Sequence, residues 1–170
     1  MEKCFSINIQ PQIRPVTLAD GMALGRWVWT DYSAEAVEEV LGRVLEMTRH
    51  DRATGLVIAS RATNEAFAYG QVTRWPRVAE ISDLAVAIDQ RGQGYGSALI
   101  EALSMLASRW QMTQVEIGVA VSNSRALALY RRLGFADSRQ ILINLGHGLE
   151  PVLYLTRGQQ PATVSKPMVD

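Results

Sequence analysis

A strand that leads into Ile88-Asp89-Gln90-Arg91-Gly92-Gln93-Gly94-Tyr95-Gly96-Ser97, and then into a helix, constrains this 170-residue chain more than any other feature. Leu99, Leu103, Leu106 and Trp110 follow at the spacing of one helix face. Glycines ahead of a helix let the backbone approach a ligand closely, and the first helical N–H groups point outward at the positive end of the dipole. That is the physics of a phosphate or diphosphate cradle, although the glycines alone are equally the chemistry of a plain turn. A Walker-type loop is excluded because no Lys followed by Ser or Thr closes the segment. A dinucleotide fingerprint is excluded too: Ser97 stands where a third glycine is required, and the loop follows hairpin-connected strands.

The surroundings alternate strands and helices. Ser6–Val16 reads as an opening strand interrupted at Pro11. Thr17, with Asp20 after it, opens a helix through Trp29, and Ser33 caps a second helix whose first turns carry Glu35, Glu38 and Glu39. Gly55–Ser60, Ala66–Thr73 and Val78–Ile88 are strands with hairpin-length connections. Beyond the glycine loop and its helix come a strand over Val115–Val121 and a helix over Ser124–Leu133, stopped by Gly134. Strands at Gln140–Leu145 and Pro151–Thr156 flank a Gly146-His147-Gly148 turn. There is no internal repeat and no linker, so residues 1–157 read as one domain, with 158–170 a polar, loose tail.

Composition narrows the function. Seventeen basic and seventeen acidic residues leave no net charge, which argues against nucleic-acid or anionic-membrane binding. Only Lys3 and Lys166 accompany the arginines, a bias read as genomic. Cys4 alone cannot build a disulfide framework or a thiolate metal site, and His50 and His147 are too far apart in sequence to suggest one; no metal is expected. No membrane span or signal peptide is visible, so the expected location is the cytoplasm.

The pattern Arg91-x-x-Gly94-x-Gly96 resembles the acyl-CoA-binding motif of the GCN5-related N-acetyltransferases (GNAT). Asn123-Ser124-Arg125-Ala126-Leu127-Ala128-Leu129-Tyr130-Arg131-Arg132-Leu133-Gly134-Phe135 matches that family's Asn-x-x-Ala-x-x-x-Tyr-x-x-x-Gly-Phe segment at every signature position. Ile13-Arg14-Pro15 running into Ala19-Asp20 is similar to its first strand and helix, so the resemblance spans roughly residues 12 to 157. It implies an α/β fold: a mixed, mostly antiparallel sheet with strands four and five splayed, flanked by about four helices. It implies acetyl-CoA as co-substrate and direct transfer of the acetyl group to a primary amine, which needs a cradle, a donor to the thioester carbonyl, a base and an acid.

By resemblance, the cradle is the backbone of Arg91, Gly92, Gln93, Gly94, Tyr95, Gly96 and Ser97. The Leu84 amide would polarise the carbonyl and Val86 would pair with pantetheine, with Ala85 between them. Asn123 would bind pantetheine near Ala126, although an ordinary N-cap fits it as well. Tyr130 would be the acid, since a phenol stays protonated at neutral pH; its helical spacing also suits a core residue. Glu80 falls where the histone-acetylating branch carries its base and shares a strand face with Ser82 and Leu84, with Asp83 on the other face. A solvated carboxylate, or deprotonation through water, competes with that role.

The acceptor is expected near Trp27, Trp29, Asp31, Tyr32 and the Gly146–Glu150 turn, where an apolar wall with one acid suits a small cationic amine. Trp27 and Trp29 suit a core equally. A protein N-terminus or lysine ranks second; a non-catalytic acetyl-CoA-binding sensor or scaffold is the alternative of another class, and nucleic-acid binding is a poor third. Either a monomer or a homodimer fits.

Overall fold

The structure, a computed structural model, describes residues 10–144, 146 and 148–162. Its elements are β1 Pro11–Pro15, α1 Gly21–Trp27, α2 Ala34–Arg49, β2 Ala53–Ser60, β3 Ala66–Arg74, β4 Ala79–Val86, α3 Tyr95–Arg109, β5 Gln114–Ala120, α4 Ser124–Arg132, β6 Ala136–Asn144 and β7 Leu149–Gly158. The strands form one seven-stranded sheet in the order β1-β2-β3-β4-β5-β7-β6. Only the β4–β5 pair is parallel among the registers that define this arrangement, so the sheet is mixed and mostly antiparallel, as the resemblance implies. The β4–β5 register runs from Ala79↔Val115 to Ile81↔Ile117, whereas β4 continues to Val86 and β5 to Ala120.

The described residues fall into two compact units that interleave in sequence, one reaching to residue 71 and resuming over 83–100, the other over 72–82 and from 101 onward. In the first, β1 pairs antiparallel with β2 from Pro11↔Ser60 to Pro15↔Leu56. Arg14 Nη1 and Nη2 then donate to both oxygens of Asp20 at 2.8 and 2.6 Å. Burial pushes the Asp20 carboxyl up, but the bonds from Arg14 and the Thr17 amide outweigh it and hold the group below the usual carboxylate range. Ser33 caps α2 as expected, its hydroxyl accepting from the Ala36 amide at 3.2 Å. α1 stops earlier than Trp29 because the Val28 and Trp29 amides both close on the Leu24 carbonyl. That ending turns Trp29 into a core that includes Leu24, Val37, Leu41, Val44, Val57 and Tyr69.

Gly55 shows how closely this core is built. A Cβ there would stand 2.8 Å from Val16 Cγ1 and 3.1 Å from the Tyr69 hydroxyl, both on buried side chains. We expect Gly55→Ala to destabilise by about 1–3 kcal/mol, because the added methyl forces a packed core apart. Urea denaturation would read this as a lower midpoint at unchanged m-value.

In the second unit, β5 pairs antiparallel with β7, and β7 with β6. β6 starts at Ala136, ahead of the expected Gln140, because Ala136–Arg139 is an exposed edge with no apolar alternation and an irregular register between Asp137 and Arg139. The opening of the stretch from Gly158, expected to be a loose tail, is held through Ala162. β7 runs to Gly158, the Gln159 amide bonds the Thr113 carbonyl at 2.8 Å, and the Ala162 amide bonds the Ser108 carbonyl at 3.0 Å. Polar composition hid backbone pairing that needs no apolar side chain. Residues 163–170, the opening part of the first expected strand over 6–9, Leu145 and His147 lie outside the described residues.

Candidate functional site

The glycine loop lies in the first unit. β4 ends at Val86, and a short 3-10 turn over Ile88–Gln90 replaces the last expected strand residue. Gly92 and Gly94 then take φ of +80° and +86°, values that favour glycine because a Cβ clashes there. The Ala98 amide bonding the Gly94 carbonyl at 3.0 Å begins the helical ladder of α3. The amides of Gly92 through Ser97 therefore donate to no carbonyl among the described residues. A Cβ at Gly94 would meet nothing within 4 Å among the described residues, so the loop is open on that side. Tyr95 turns its ring edge-on to Phe67, centroids 5.0 Å apart, which pins the helix start to the core and leaves its amide as its contribution to the row. Arg91 Nε donates to the Val86 carbonyl at 3.0 Å, so a pantetheine group pairing with Val86 would share or displace that bond.

Asp83 revises one expectation. Ala79 to Ser82 alternate buried and half-buried as a strand should, but Asp83 has φ of +53°. The period-two count that puts Leu84 on the Glu80 face, and Asp83 on the other, therefore cannot be carried through Asp83.

The second unit holds the other signature residues. Asn123 is the N-cap of α4, its Oδ1 accepting from the Ala126 amide at 3.1 Å, which leaves its NH2 free to donate elsewhere. Two turns further on, Tyr130 buries its ring against Phe135, centroids 6.3 Å apart. Burial pushes its phenol up to about 12. Its hydroxyl has no hydrogen-bond partner among the described residues, yet no fully buried, unpaired side-chain oxygen occurs there, so the hydroxyl opens to solvent. Gly134, at φ +85°, ends the helix as the sequence indicates.

Glu80 is half-buried and lies directly opposite Glu116 of β5. Trp75, at the start of the β3–β4 turn, donates its indole N–H to Glu80 Oε2 at 2.7 Å. Arg139 of β6 pairs with both Glu116 oxygens, Nη2 to Oε1 at 2.9 Å, and stacks 4.1 Å over the Tyr154 ring. Gly118 makes room for that ring, since a Cβ there would stand 3.0 Å from it. Cross-strand register brings this set to one face: Glu80↔Glu116, Gly118↔Tyr154 and Arg139↔Tyr154. Sequence reasoning missed Trp75, Glu116, Arg139 and Tyr154; the usable signal was the apolar alternation Val115, Ile117, Val119, which puts Glu116 on the opposite face.

The expected acceptor residues divide. Trp29 is core, edge-on to Tyr69 at 4.9 Å between centroids. Trp27 and Tyr32 are exposed, with Arg26 over the Trp27 ring. On the other unit, the β6–β7 turn is shaped by Asn144 Oδ1, which accepts from the Gly146 and Gly148 amides, and Glu150 accepts from Ser122 Oγ. The structure thus gathers Leu84 to Ser97 in one unit, and Glu80, Asn123, Ala126 and Tyr130 in the other. Among the described residues no helix is long and apolar enough to cross a membrane, and no group of His, Cys, Asp and Glu could hold a metal ion.

Residues 22–135 match the acetyltransferase (GNAT) family. One curated relative is a mycothiol acetyltransferase from Clavibacter michiganensis, 44% identical over 61 residues, 35% of this chain and 20% of the relative. The chain spans 28% or less of the length of the curated relatives it matches. Among solved structures, the fold is similar to RimL, a ribosomal L7/L12 alpha-N-protein acetyltransferase in complex with coenzyme A (TM-score 0.75, 16% identity, 89% of this chain and 96% of that one). It is also similar to the spermidine/spermine N-acetyltransferase SpeG from Vibrio cholerae (TM-score 0.69, 17% identity, 88% and 92%).

Proposed function

The chain belongs to the acetyltransferase (GNAT) family, and from that premise we propose that it transfers an acetyl group directly from acetyl-CoA to a primary amine, the acceptor being a small-molecule amine. The observation that carries the reading is the row of unpartnered amides from Gly92 to Ser97 at the start of α3, ahead of which glycines hold the left-handed backbone. Such a row suits a diphosphate, with Arg91 beside it as a cation. The amine nitrogen attacks the thioester carbon, the C–N bond forms as the C–S bond breaks, and the products are the amide and the free thiol. Leu84 supplies its amide to the carbonyl oxygen and Val86 pairs with pantetheine. Asn123 adds a side-chain donor, Tyr130 a phenol for the departing sulfur, and Glu80 takes the proton from the amine, directly or through one water.

Thiol release from acetyl-CoA in the presence of spermidine, arylalkylamines and peptides with free N-termini tests the reading. Turnover fastest with a small amine supports it; affinity for acetyl-CoA with no release from any amine overturns the enzyme reading in favour of a binder.

Glu80→Gln addresses the base. An alkylammonium of pKa near 10 is only about 10⁻³ free amine at pH 7, so a base matters most there. We expect kcat/KM to fall about 10- to 100-fold at neutral pH and to recover towards pH 10, where solvent supplies the free amine. A parallel profile for Glu80→Gln shows that Glu80 is not the base, and a larger neutral-pH loss in Asp83→Asn assigns that role to Asp83 instead.

A further inference from the structure

Trp75 has an unusual position for a large aromatic residue. It is 44% exposed, at the start of the Trp75-Pro76-Arg77-Val78 turn, so its ring is not there chiefly to fill a core. Its backbone is fixed, because its amide bonds the Val78 carbonyl at 2.9 Å and Pro76 locks the next φ. Its indole N–H is committed to Glu80 Oε2 at 2.7 Å. An indole nitrogen only donates, so this contact requires an acceptor opposite it. Glu80 Oε1 has no hydrogen-bond partner among the described residues.

The rest of the surroundings is already paired. Glu116, directly opposite Glu80 on β5, is neutralised by Arg139 of β6, whose guanidinium lies over Tyr154 of β7. Arg74 and Arg77, in the same hairpin as Trp75, are exposed. Among the described residues Glu80 forms no ion pair with a cationic side chain; Arg139 feels its charge but is bonded to Glu116, and the donor that fixes the Glu80 rotamer is a neutral one. A cation in that place would compete with an incoming ammonium; an indole holds the group while leaving its charge.

We propose that Trp75 is a positioning residue for the transfer reaction, its indole N–H clamping Glu80 Oε2 so that Oε1 is presented to the acceptor's ammonium proton. The inference rests on the reading of Glu80 as base. A Glu side chain in a strand has several rotamers open to it, and a carboxylate free to sample them meets the amine in the productive geometry only part of the time.

The test is Trp75→Phe, which keeps an aromatic ring on the turn and removes the donor, compared with Glu80→Gln and with the double variant. Thiol release is followed from pH 6 to 10 with spermidine as probe, or with whichever amine of the panel is turned over faster. Trp75→Phe should lower kcat about 5- to 30-fold at pH 7, regain most of the loss by pH 10, and leave acetyl-CoA affinity and thermal midpoint close to the parent's. In the Glu80→Gln background it should have almost no effect, because the two side chains act as one unit. Equal loss at every pH, or the same fold-loss with and without Glu80, overturns the clamp. If Glu80→Gln itself keeps the parental pH profile, the base reading falls and the clamp with it. A Glu80→Gln defect with parental behaviour in Trp75→Phe sinks the clamp alone.

Discussion

Gly94→Asp should abolish practical acetyl-CoA binding while leaving the protein folded. Gly94 has φ of +86°, and a Cβ there meets nothing within 4 Å, so the side chain has room. Aspartate tolerates left-handed backbone better than most residues, so the conformational penalty is about 1 kcal/mol. The charge is the larger effect. Two unit charges 4 Å apart interact by about 4 kcal/mol at an effective dielectric of 20, and a diphosphate over these amides would bring more than one. Even after salt screening, a few kcal/mol remain, a loss of about 100-fold or more in Kd. Gly94→Ala separates the two contributions: it carries the backbone penalty without the charge and should weaken binding by only about 5- to 10-fold. Calorimetry of both variants, with circular dichroism to establish folding, reads the result. A folded Gly94→Asp protein with parental affinity would place the diphosphate elsewhere.

The parts of this site that were legible in the sequence are those whose chemistry is local. Gly92 and Gly94 precede a helix in the chain itself, and their left-handed backbone follows from residue type and position. Asn123 and Gly134 bracket α4 as cap and stop, for the same reason. The short β4–β5 pairing is expected from the resemblance, not from any residue of either strand. Strand register across long sequence separations was not legible. Nothing local to Glu116, Arg139 or Tyr154 says that they share a face with Glu80; three registers decide it, one of them shifted between Asp137 and Arg139. Asp83 failed for the opposite reason: alternation was assumed through a residue that the fold holds at φ +53°. Trp29 and Trp27 illustrate the same limit in a helix. They are two positions apart and equally aromatic, and only the Leu24 carbonyl, taking two amides at the end of α1, turns the first into the core and leaves the second outside.

Tyr130→Phe should lower kcat by about 10- to 1,000-fold with acetyl-CoA affinity little altered. The substitution removes one oxygen and leaves a ring of the same shape packed against Phe135, so the core around α4 is kept. No hydrogen bond within the described residues is lost with the hydroxyl. Burial that pushes the phenol up to about 12 has two consequences. Between pH 6 and 10 the group stays protonated, so its contribution should not titrate in that range. A donor of that strength also gives its proton reluctantly to a thiolate, whose conjugate thiol is the stronger acid, so its main effect is a hydrogen bond to sulfur as charge develops there, with the proton following from water. Such a bond exists only once the C–S bond is breaking, which is why the loss should fall on kcat and not on ground-state affinity. The pH profile then distinguishes the two catalytic side chains. The Tyr130→Phe defect should be the same multiple at pH 6 and at pH 10, whereas the Glu80→Gln defect shrinks as the amine loses its proton to solvent. A Tyr130→Phe enzyme as fast as the parent would reduce Tyr130 to packing and leave the sulfur to water alone.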